Sequence, residues 1–116
     1  MVKSIDVVYK RWFDKVNGNS YFGGFIVINY GYDSEQVLKM PFEYGYGSYP
    51  VQRAFEILRD FYGWEKEKFY SPIWEKNRRI KLQNGEEVLY RDIDLGYGKK
   101  KDLIEYLKYP NRCFSA

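Results

Sequence analysis

The spacing of hydrophobic and polar residues predicts three strands in the first part of the chain. Residues 4–13 are rich in β-branched and aromatic side chains, and residues 21–30 contain the apolar run Phe25-Ile26-Val27-Ile28, which suits a central strand. Residues 36–44 are expected to form the third strand. Asn17-Gly18 separates the first two strands and supplies the positive φ angles that a hairpin turn needs.

Two features predict irregular pairing within these strands. Gly23-Gly24 indicates a bulge, or a place where another group comes close to the backbone. Pro41 has no backbone N–H to donate, so the third strand is expected at an edge of the sheet or at a bulge.

The apolar spacing becomes helical after the third strand. Ser48 or Tyr49 is expected to cap the helix, Pro50 to lie in its first turn, and Gly63 to end it. The predicted apolar stripe consists of Val51, Ala54, Phe55, Leu58, Phe61 and Tyr62.

A second hairpin and a second helix are predicted in the rest of the chain. Residues 78–83 and 86–93 flank the turn Asn84-Gly85, and Ser71-Pro72 is expected to start one helical turn before them. Residues 100–108 are expected to form a short helix with Leu103, Ile104 and Leu107 on its apolar side.

The order β-β-β-α-β-β-α leads to a definite fold class. We predict a single α+β domain over residues 1–116, with an antiparallel sheet of about five strands and two helices packed on one face. The residues expected in the core are Ile26, Ile28, Val51, Ala54, Phe55, Leu58, Ile80 and Val88.

Composition favours binding over catalysis. Aromatic residues make up 21% of the chain, with 13 Tyr, and a surplus of tyrosine suits either a contact surface or cross-strand aromatic pairs. The chain has no His, which removes the commonest general base and most zinc ligands, so we expect no enzyme, cofactor or metal. Catalysis by carboxylate pairs, Lys or Tyr is the alternative that the absence of His leaves open. The net charge of +3 permits an anionic partner but is modest for a protein that binds duplex DNA.

The N-terminus and the cysteine content indicate where the protein works. Cys113 is the only cysteine, so no intramolecular disulfide forms, as is usual in a reducing cytoplasm. No apolar run is long enough for a signal peptide or a membrane span, and we therefore expect no membrane association.

A repeated Gly-Tyr-Gly motif is the main candidate site. Gly45-Tyr46-Gly47 leads from a strand to the first helix, and Gly96-Tyr97-Gly98 leads from a strand to the second. Glycine permits close approach, a helix start offers N–H groups to an anion, and tyrosine stacks on a planar ring. The alternative is a tight turn with the tyrosine packed beneath it. The predicted ligand-binding residues here are Tyr46, Gly47, Ser48, Tyr97, Gly98, Lys99 and Lys100.

The first hairpin supplies two further candidates. Arg11 and Asn19 are expected to add polar contacts to the same ligand. Asn and Ser side chains in this turn satisfy their own backbone equally well, which is the structural alternative.

Two segments of the chain resemble one family. Lys10-Arg11-Trp12-Phe13-Asp14-Lys15-Val16-Asn17-Gly18-Asn19-Ser20-Tyr21 is similar to a segment of small, uncharacterised tailed-phage proteins, where an Arg-aromatic-Asp stretch leads into Asn-Gly-Asn-Thr-Tyr. Met40-Pro41-Phe42-Glu43-Tyr44-Gly45-Tyr46-Gly47 resembles the Pro-Phe-x-Tyr-Gly-Tyr-Gly motif of that family. The chain departs from the family at Phe22-Gly23, where His and Ser are frequent. The resemblance covers roughly residues 9–63 and implies a phage origin and a host-cytoplasm setting, with no known activity.

Three functions are consistent with these residues. The first is sequestration of a nucleotide-like small molecule, such as a host immune signal, as an anti-defence protein. The second is inhibition of a host defence protein through a Tyr-rich surface, and the third is binding of single-stranded nucleic acid. For a short chain with a large aromatic surface we also expect a homo-oligomer.

Overall fold

The computed structural model describes residues 2–64, 77–81 and 87–114 of the protein. In chain order the elements are β1 (Ser4–Asp14), β2 (Asn19–Ile28), β3 (Gln36–Tyr44), α1 (Tyr49–Tyr62), β4 (Asn77–Lys81), β5 (Glu87–Gly98), α2 (Lys100–Tyr106) and a 3₁₀ helix (Pro110–Arg112). The predicted turns at Ser71-Pro72 and Asn84-Gly85 lie outside the described residues. Within the described ranges, no helix has the length and apolarity needed to cross a membrane.

The strands form one mixed sheet in the order β3-β2-β1-β5-β4. Neighbouring strands are antiparallel except for β1 and β5, which run parallel. The α+β class is confirmed, whereas the expectation of an antiparallel sheet is wrong. Parallel neighbours need a long crossover, and the chain between β1 and β5 is long enough to provide one. Hairpin signals predict only the pairing of strands that are neighbours in the chain. They therefore did not predict that β5 pairs with the free edge of β1.

One face of the sheet packs against α1. Ile5, Val7 and Tyr9 of β1 lie there with Ile26 and Ile28 of β2. Val51, Ala54, Phe55 and Leu58 of α1 complete this core cluster. Alternate residues of a strand point to opposite faces, so the residues between these must be covered from the other side.

The other face packs against α2. Val8 of β1 and Phe25 and Val27 of β2 contact a cluster that includes Leu103 and Leu107 of the second helix. The two helices therefore lie on opposite faces, and the expectation that both lie on one face is wrong. The physical reason is that the central strands are apolar on both sides, so that each face needs its own cover.

The predicted core residues are all buried, with at most 8% of any of them exposed. Phe61 and Ile104 belong to the predicted helical stripes, but they are 49% and 43% exposed. The buried stripe of α1 therefore ends one turn before the helix does. The helix begins after Ser48 and ends at Gly63, which has a φ of 70°, as the capping pattern predicts.

The paired glycines of β2 mark close packing on both faces. A side chain on Gly24 would collide with the backbone of Val8 and Tyr9 in β1. A Cβ on Gly23 would lie 2.7 Å from Leu107 Cδ1 in the second helix. The pairing of β2 with β3 also shifts register between Phe22 and Gly24, and β3 is an edge strand, as Pro41 predicts.

Truncation of Phe55 will test the core beneath α1. Phe55 is fully buried and packs on the Tyr90 ring at 5.4 Å between centroids, so Phe55→Ala should lower the free energy of unfolding by roughly 3–5 kcal/mol. Phe61→Ala in the same helix is the matched control, with an expected change within about 0.5 kcal/mol. Equal losses for the two variants in urea unfolding would contradict this arrangement.

The alkaline stability of the protein should reflect its buried tyrosines. Burial raises the pKa of Tyr9, Tyr90 and Tyr106 above the ordinary value, and Asp92 raises it further for Tyr9 and Tyr90. The folded state thus favours the neutral hydroxyl group. Its stabilising contribution is complete below about pH 10, the ordinary tyrosine pKa, and is lost as the pH rises towards the folded pKa values.

A spectrophotometric titration of phenolate absorbance will check this expectation. These tyrosines should ionise only as the protein unfolds, and Tyr90→Phe should remove one late-ionising group. Ionisation of every tyrosine near pH 10, with full retention of the fold, would contradict the prediction.

Candidate functional site

The predicted ligand-binding residues gather at one end of the sheet. There β1, β3 and β5 end and β2 begins, and residues 45–48 lead from β3 into α1. Strand register places Arg11 between Phe22 of β2 and Tyr97 of β5, and Tyr21 of β2 beside Tyr44 of β3. We call this region the loop end.

Arg11 is a buried junction between the two Gly-Tyr-Gly segments. Its Nε donates to Asp94 Oδ2 at 3.0 Å, and its Nη2 donates to the Gly47 carbonyl oxygen at 2.7 Å. The guanidinium carbon lies 5.1 Å from the centre of the Tyr9 ring and 5.9 Å from the centre of the Tyr97 ring. One side chain therefore contacts the first segment through Gly47 and the second through Tyr97.

The charge of this junction is balanced within the fold. Burial alone would lower the pKa of Arg11, but Asp94, Tyr9 and Tyr97 act in the opposite direction and the pKa is raised. The guanidinium group thus stays charged, only 7% of the residue is exposed, and Asp94 is its counter-ion. Arg11 thus joins the two Gly-Tyr-Gly segments within the fold, and its predicted contact with a ligand stays a prediction.

The first segment is shaped by two glycines. The Gly45 N–H donates to Ser20 O at 2.9 Å, and a Cβ at this position would collide with the rings of Tyr49 and Phe22. Gly47 has a φ of 61°, in the left-handed region that glycine adopts without strain. The backbone therefore lies flat against the Tyr49 ring and turns sharply into α1.

An open cavity of about 530 Å³ lies beside this turn. It is lined by residues 44–49 and by Gln52. Tyr44 and Tyr46 are 56% and 68% exposed, and Gln52 Nε2 donates to Ser48 Oγ at 2.9 Å. The cavity thus combines aromatic rings with one amide and one hydroxyl group, a lining suited to a planar ligand with a polar edge.

The amide groups at the start of α1 are largely used within the chain. The N–H groups of Val51 and Gln52 both donate to Ser48 O, and that of Tyr49 donates to Tyr46 O. The second helical residue is a proline and has no N–H. The expectation that this helix start offers unpaired donors to a phosphate group is therefore wrong for its first four residues.

The second segment is the end of a strand and not a loop. Gly96-Tyr97-Gly98 belongs to β5, where Gly96 has a φ of 83° at a shift in register against β1. The next residue, Lys99, donates its N–H to Asp102 Oδ2 at 3.1 Å. A carboxylate thus already occupies the start of α2, which has only seven residues.

Lys100 lies on the opposite face of the sheet from Tyr97. Lys100 Nζ lies 5.4 Å from the centre of the Trp12 ring. Trp12 follows Arg11 in β1, so the two side chains point to opposite faces of the sheet, and Tyr97 shares the face of Arg11. Gly98 is paired with Trp12, and Lys99 is exposed.

The first hairpin turn is organised by its own side chains. Asp14 accepts hydrogen bonds from the N–H of Val16 and from Asn17, and the Asn17 bond lowers the pKa of Asp14. Asn19 is paired with Asp14 at the start of β2, three residues from the partner of Arg11. The turn thus follows the structural alternative, and Asn19 lies near the site without contacting the Arg11 junction.

Several residues of the loop end were missed by sequence reasoning. Asp94 and Tyr9 complete the Arg11 junction, and Tyr44, Tyr49 and Gln52 line the cavity. Only the four-residue spacing from Ser48 to Gln52 carries a signal in the sequence, because it places both side chains on one face of a helix. The other residues converge through strand register.

A second concavity, of about 430 Å³, lies at the opposite end of the sheet. Residues 110–114 form one wall, and its rim carries charges of both signs, Glu35 and Arg112. None of the predicted ligand-binding residues lines it. In the described ranges, no group of three or more His, Cys, Asp or Glu side chains forms a metal site.

Removal of the Arg11 side chain should destabilise the protein. Arg11→Ala leaves Asp94 and the Gly47 carbonyl without their charged partner, and we expect a loss of roughly 2–4 kcal/mol in the free energy of unfolding. The matched control is Arg53→Ala, whose ion pairs with Glu43 and Glu56 are partly exposed, with an expected loss of about 0.2–1 kcal/mol. Equal losses in urea unfolding would show that Arg11 is not the junction.

Comparisons with known proteins assign the chain to no family. No protein-family model, curated protein or solved structure matches the chain. The resemblance of residues 9–63 to tailed-phage proteins stays a prediction carried by its two motifs. The chemistry of the loop end is therefore the basis for a functional proposal.

Proposed function

We propose that this protein is a small, non-catalytic binding protein that sequesters a nucleotide-like ligand at the loop end. The setting that we propose is the host cytoplasm during phage infection, where such a ligand would be a host immune signal. A closed homo-oligomer is part of the same proposal, since the chain is short and several of its aromatic side chains are exposed.

The observation that carries this proposal is the aromatic cavity beside the first Gly-Tyr-Gly segment. Tyr44, Tyr46 and Tyr49 are three of the residues that line this open cavity, and its volume of about 530 Å³ lies within the range of small-molecule sites. Exposed aromatic side chains stack on any nucleobase, because every base has a π-face. The Gln52 amide and the Ser48 hydroxyl group supply polar contacts at the same place.

The loop is held in place before any ligand binds. Gly47 is tied to Arg11, Gly45 to Ser20, and the Tyr49 ring packs edge-on against Phe22 with 5.7 Å between centroids. A preformed site loses little conformational entropy when it binds a ligand. This favours tight capture of a small molecule, which sequestration requires.

The side chains that line the cavity favour binding over catalysis. They are tyrosine, serine and glutamine, none of which is a strong base at neutral pH. The Ser48 hydroxyl group accepts from the Gln52 amide, which offers no basic group to activate a nucleophile. Capture without conversion therefore suits this lining best.

One observation favours a host protein as an alternative partner. Phe13, Tyr44, Tyr46 and Tyr97 are 44–68% exposed, and all lie at the loop end. Exposed tyrosines around a buried arginine are typical of the centres of protein interfaces. A partner that covers the loop end would use these same residues.

Single-stranded nucleic acid has less support. Trp12 stacks on Tyr21 and Tyr21 on Phe42, with 5.3 Å between centroids in each pair, so these rings use their faces on each other. Lys100 covers the Trp12 ring as well. The rings of this row therefore offer edges rather than free faces to a base.

Tyr46→Ala tests the proposed function. Loss of a stacking ring should weaken the binding of a nucleotide-like ligand by roughly five- to hundredfold, with little change in melting temperature because the side chain is 68% exposed. Calorimetric titration with a panel of linear and cyclic nucleotides, run beside thermal melts, gives both quantities. Tyr97→Ala shows whether the second segment takes part.

Tyr32→Ala is the matched control, because Tyr32 is 48% exposed at the opposite end of the sheet. Its affinity should equal that of the unmodified protein. The proposal would be overturned if no nucleotide of the panel binds, or if Tyr46→Ala lowers the melting temperature sharply. The host-protein alternative would then take its place.

A further inference from the structure

We infer that the cavity recognises the adenine ring of its ligand and leaves the phosphate groups in solvent. This inference rests on the proposed function and names the class of ligand. It follows from the charges around the cavity, from the hydrogen bonds at the two helix starts and from the position of one amide.

The two arginines next to the cavity-lining segment, Arg11 and Arg53, are already neutralised by carboxylates. Arg11 donates to Asp94 and to the Gly47 carbonyl, and it is 7% exposed. Arg53 follows Gln52 in α1, and it donates to Glu43 at 3.1 Å and to Glu56 at 3.2 Å. Two carboxylates oppose that one guanidinium group. A phosphate group beside the first turn of α1 would therefore meet a local charge that is not positive.

The backbone donors in the first turn of α1 are also used within the chain. The N–H groups of Tyr49, Val51 and Gln52 donate to carbonyl oxygens of residues 46 and 48. At the other Gly-Tyr-Gly segment, the Asp102 carboxylate accepts from the Lys99 N–H. The first turn of α1 thus differs from the open ring of amides that holds phosphate in nucleotide-binding loops, and a carboxylate already lies at the start of α2.

The Gln52 side chain suits an adenine edge. One N–H of its amide donates to Ser48 Oγ, which leaves the second N–H and the carbonyl oxygen for a ligand. Adenine presents a donor at N6 beside an acceptor at N7, which a glutamine amide matches with two hydrogen bonds. Guanine presents two acceptors there, so the carbonyl oxygen of Gln52 would face another acceptor.

Tyr46 is the ring on which the base would stack. It is the most exposed of the tyrosines that line the cavity among the described residues, and Gln52 lines the same cavity. Stacking and the two amide hydrogen bonds together read a planar adenine ring. Neither interaction depends on the charge of the ligand, so both persist at high salt.

Titration of the full-length chain with four probes tests this inference. The probes are adenosine, guanosine, adenosine 5′-monophosphate and a short oligodeoxyadenylate, each at low and at high salt. We expect adenosine and its monophosphate to bind with affinities within about fivefold, the limit for an exposed charge, and without strong dependence on salt. Guanosine should bind at least about fivefold more weakly than adenosine.

Gln52→Glu separates base recognition from a structural role. The substitution keeps the shape of the side chain but replaces the amide donor by a carboxylate oxygen, and it should weaken adenosine binding roughly five- to 150-fold. Gln52 is exposed, so thermal melts should show a folded protein. Gln52→Glu with unchanged adenosine affinity would overturn the inference.

The outcomes distinguish the inference from the proposed function. If nucleotides bind but adenosine 5′-monophosphate binds far more tightly than adenosine, the proposed function is supported. The inference that the ligand is recognised through its base alone is then wrong. An oligodeoxyadenylate that binds more tightly than adenosine and weakens steeply with salt also overturns the inference, since phosphate contacts would then dominate. If none of the four probes binds, the inference fails. The proposed function fails only if no member of the panel of linear and cyclic nucleotides binds either.

Discussion

Burial of both faces of the two central strands is the constraint on which this structure depends. β1 and β2 place apolar side chains alternately on each face, as Val7 and Val8 do in β1. A single helical layer covers only one face, so α1 and α2 pack on opposite sides. Gly23 belongs to the same arrangement, because Leu107 of the segment after α2 packs on it too closely for a Cβ. The two helices start at the same end of the sheet, because the strands that precede them, β3 and β5, both end there.

The face of β1 that carries Tyr9 changes from apolar to charged at Arg11. A charge at that depth is expensive to bury alone, and Asp94 and the Gly47 carbonyl stabilise it. The same hydrogen bonds join segments that are far apart in the chain, since Arg11 and Asp94 are separated by 83 residues. An electrostatic requirement of the interior thus also defines the geometry of the loop end.

The cavity beside that junction is aromatic and nearly free of usable charge. Gly45 lets the backbone lie against the rings of Tyr49 and Phe22, and the exposed Tyr46 lies at the turn that follows. Arginine side chains nearby are held by carboxylates, as Arg53 is by Glu43. Such a surface discriminates by shape, stacking and hydrogen-bond pattern rather than by charge, which suits a ligand recognised through a planar ring.

The sequence by itself determined the elements and the core, because hydrophobic spacing and capping residues act over a few neighbouring positions. α1 begins after Ser48 and ends at Gly63, and the residues expected in the core are buried. Only the tertiary structure decided that β5 joins β1 in parallel, that the helices lie on opposite faces, and that Gln52 and Tyr44 share a cavity. These features depend on strand register and on contacts between distant segments, which local spacing does not encode. The Gly-Tyr-Gly motifs indicated the position of the loop end. The pairing of Arg11 with Asp94 could not be predicted, because it depends on the position of β5 next to β1 in the sheet.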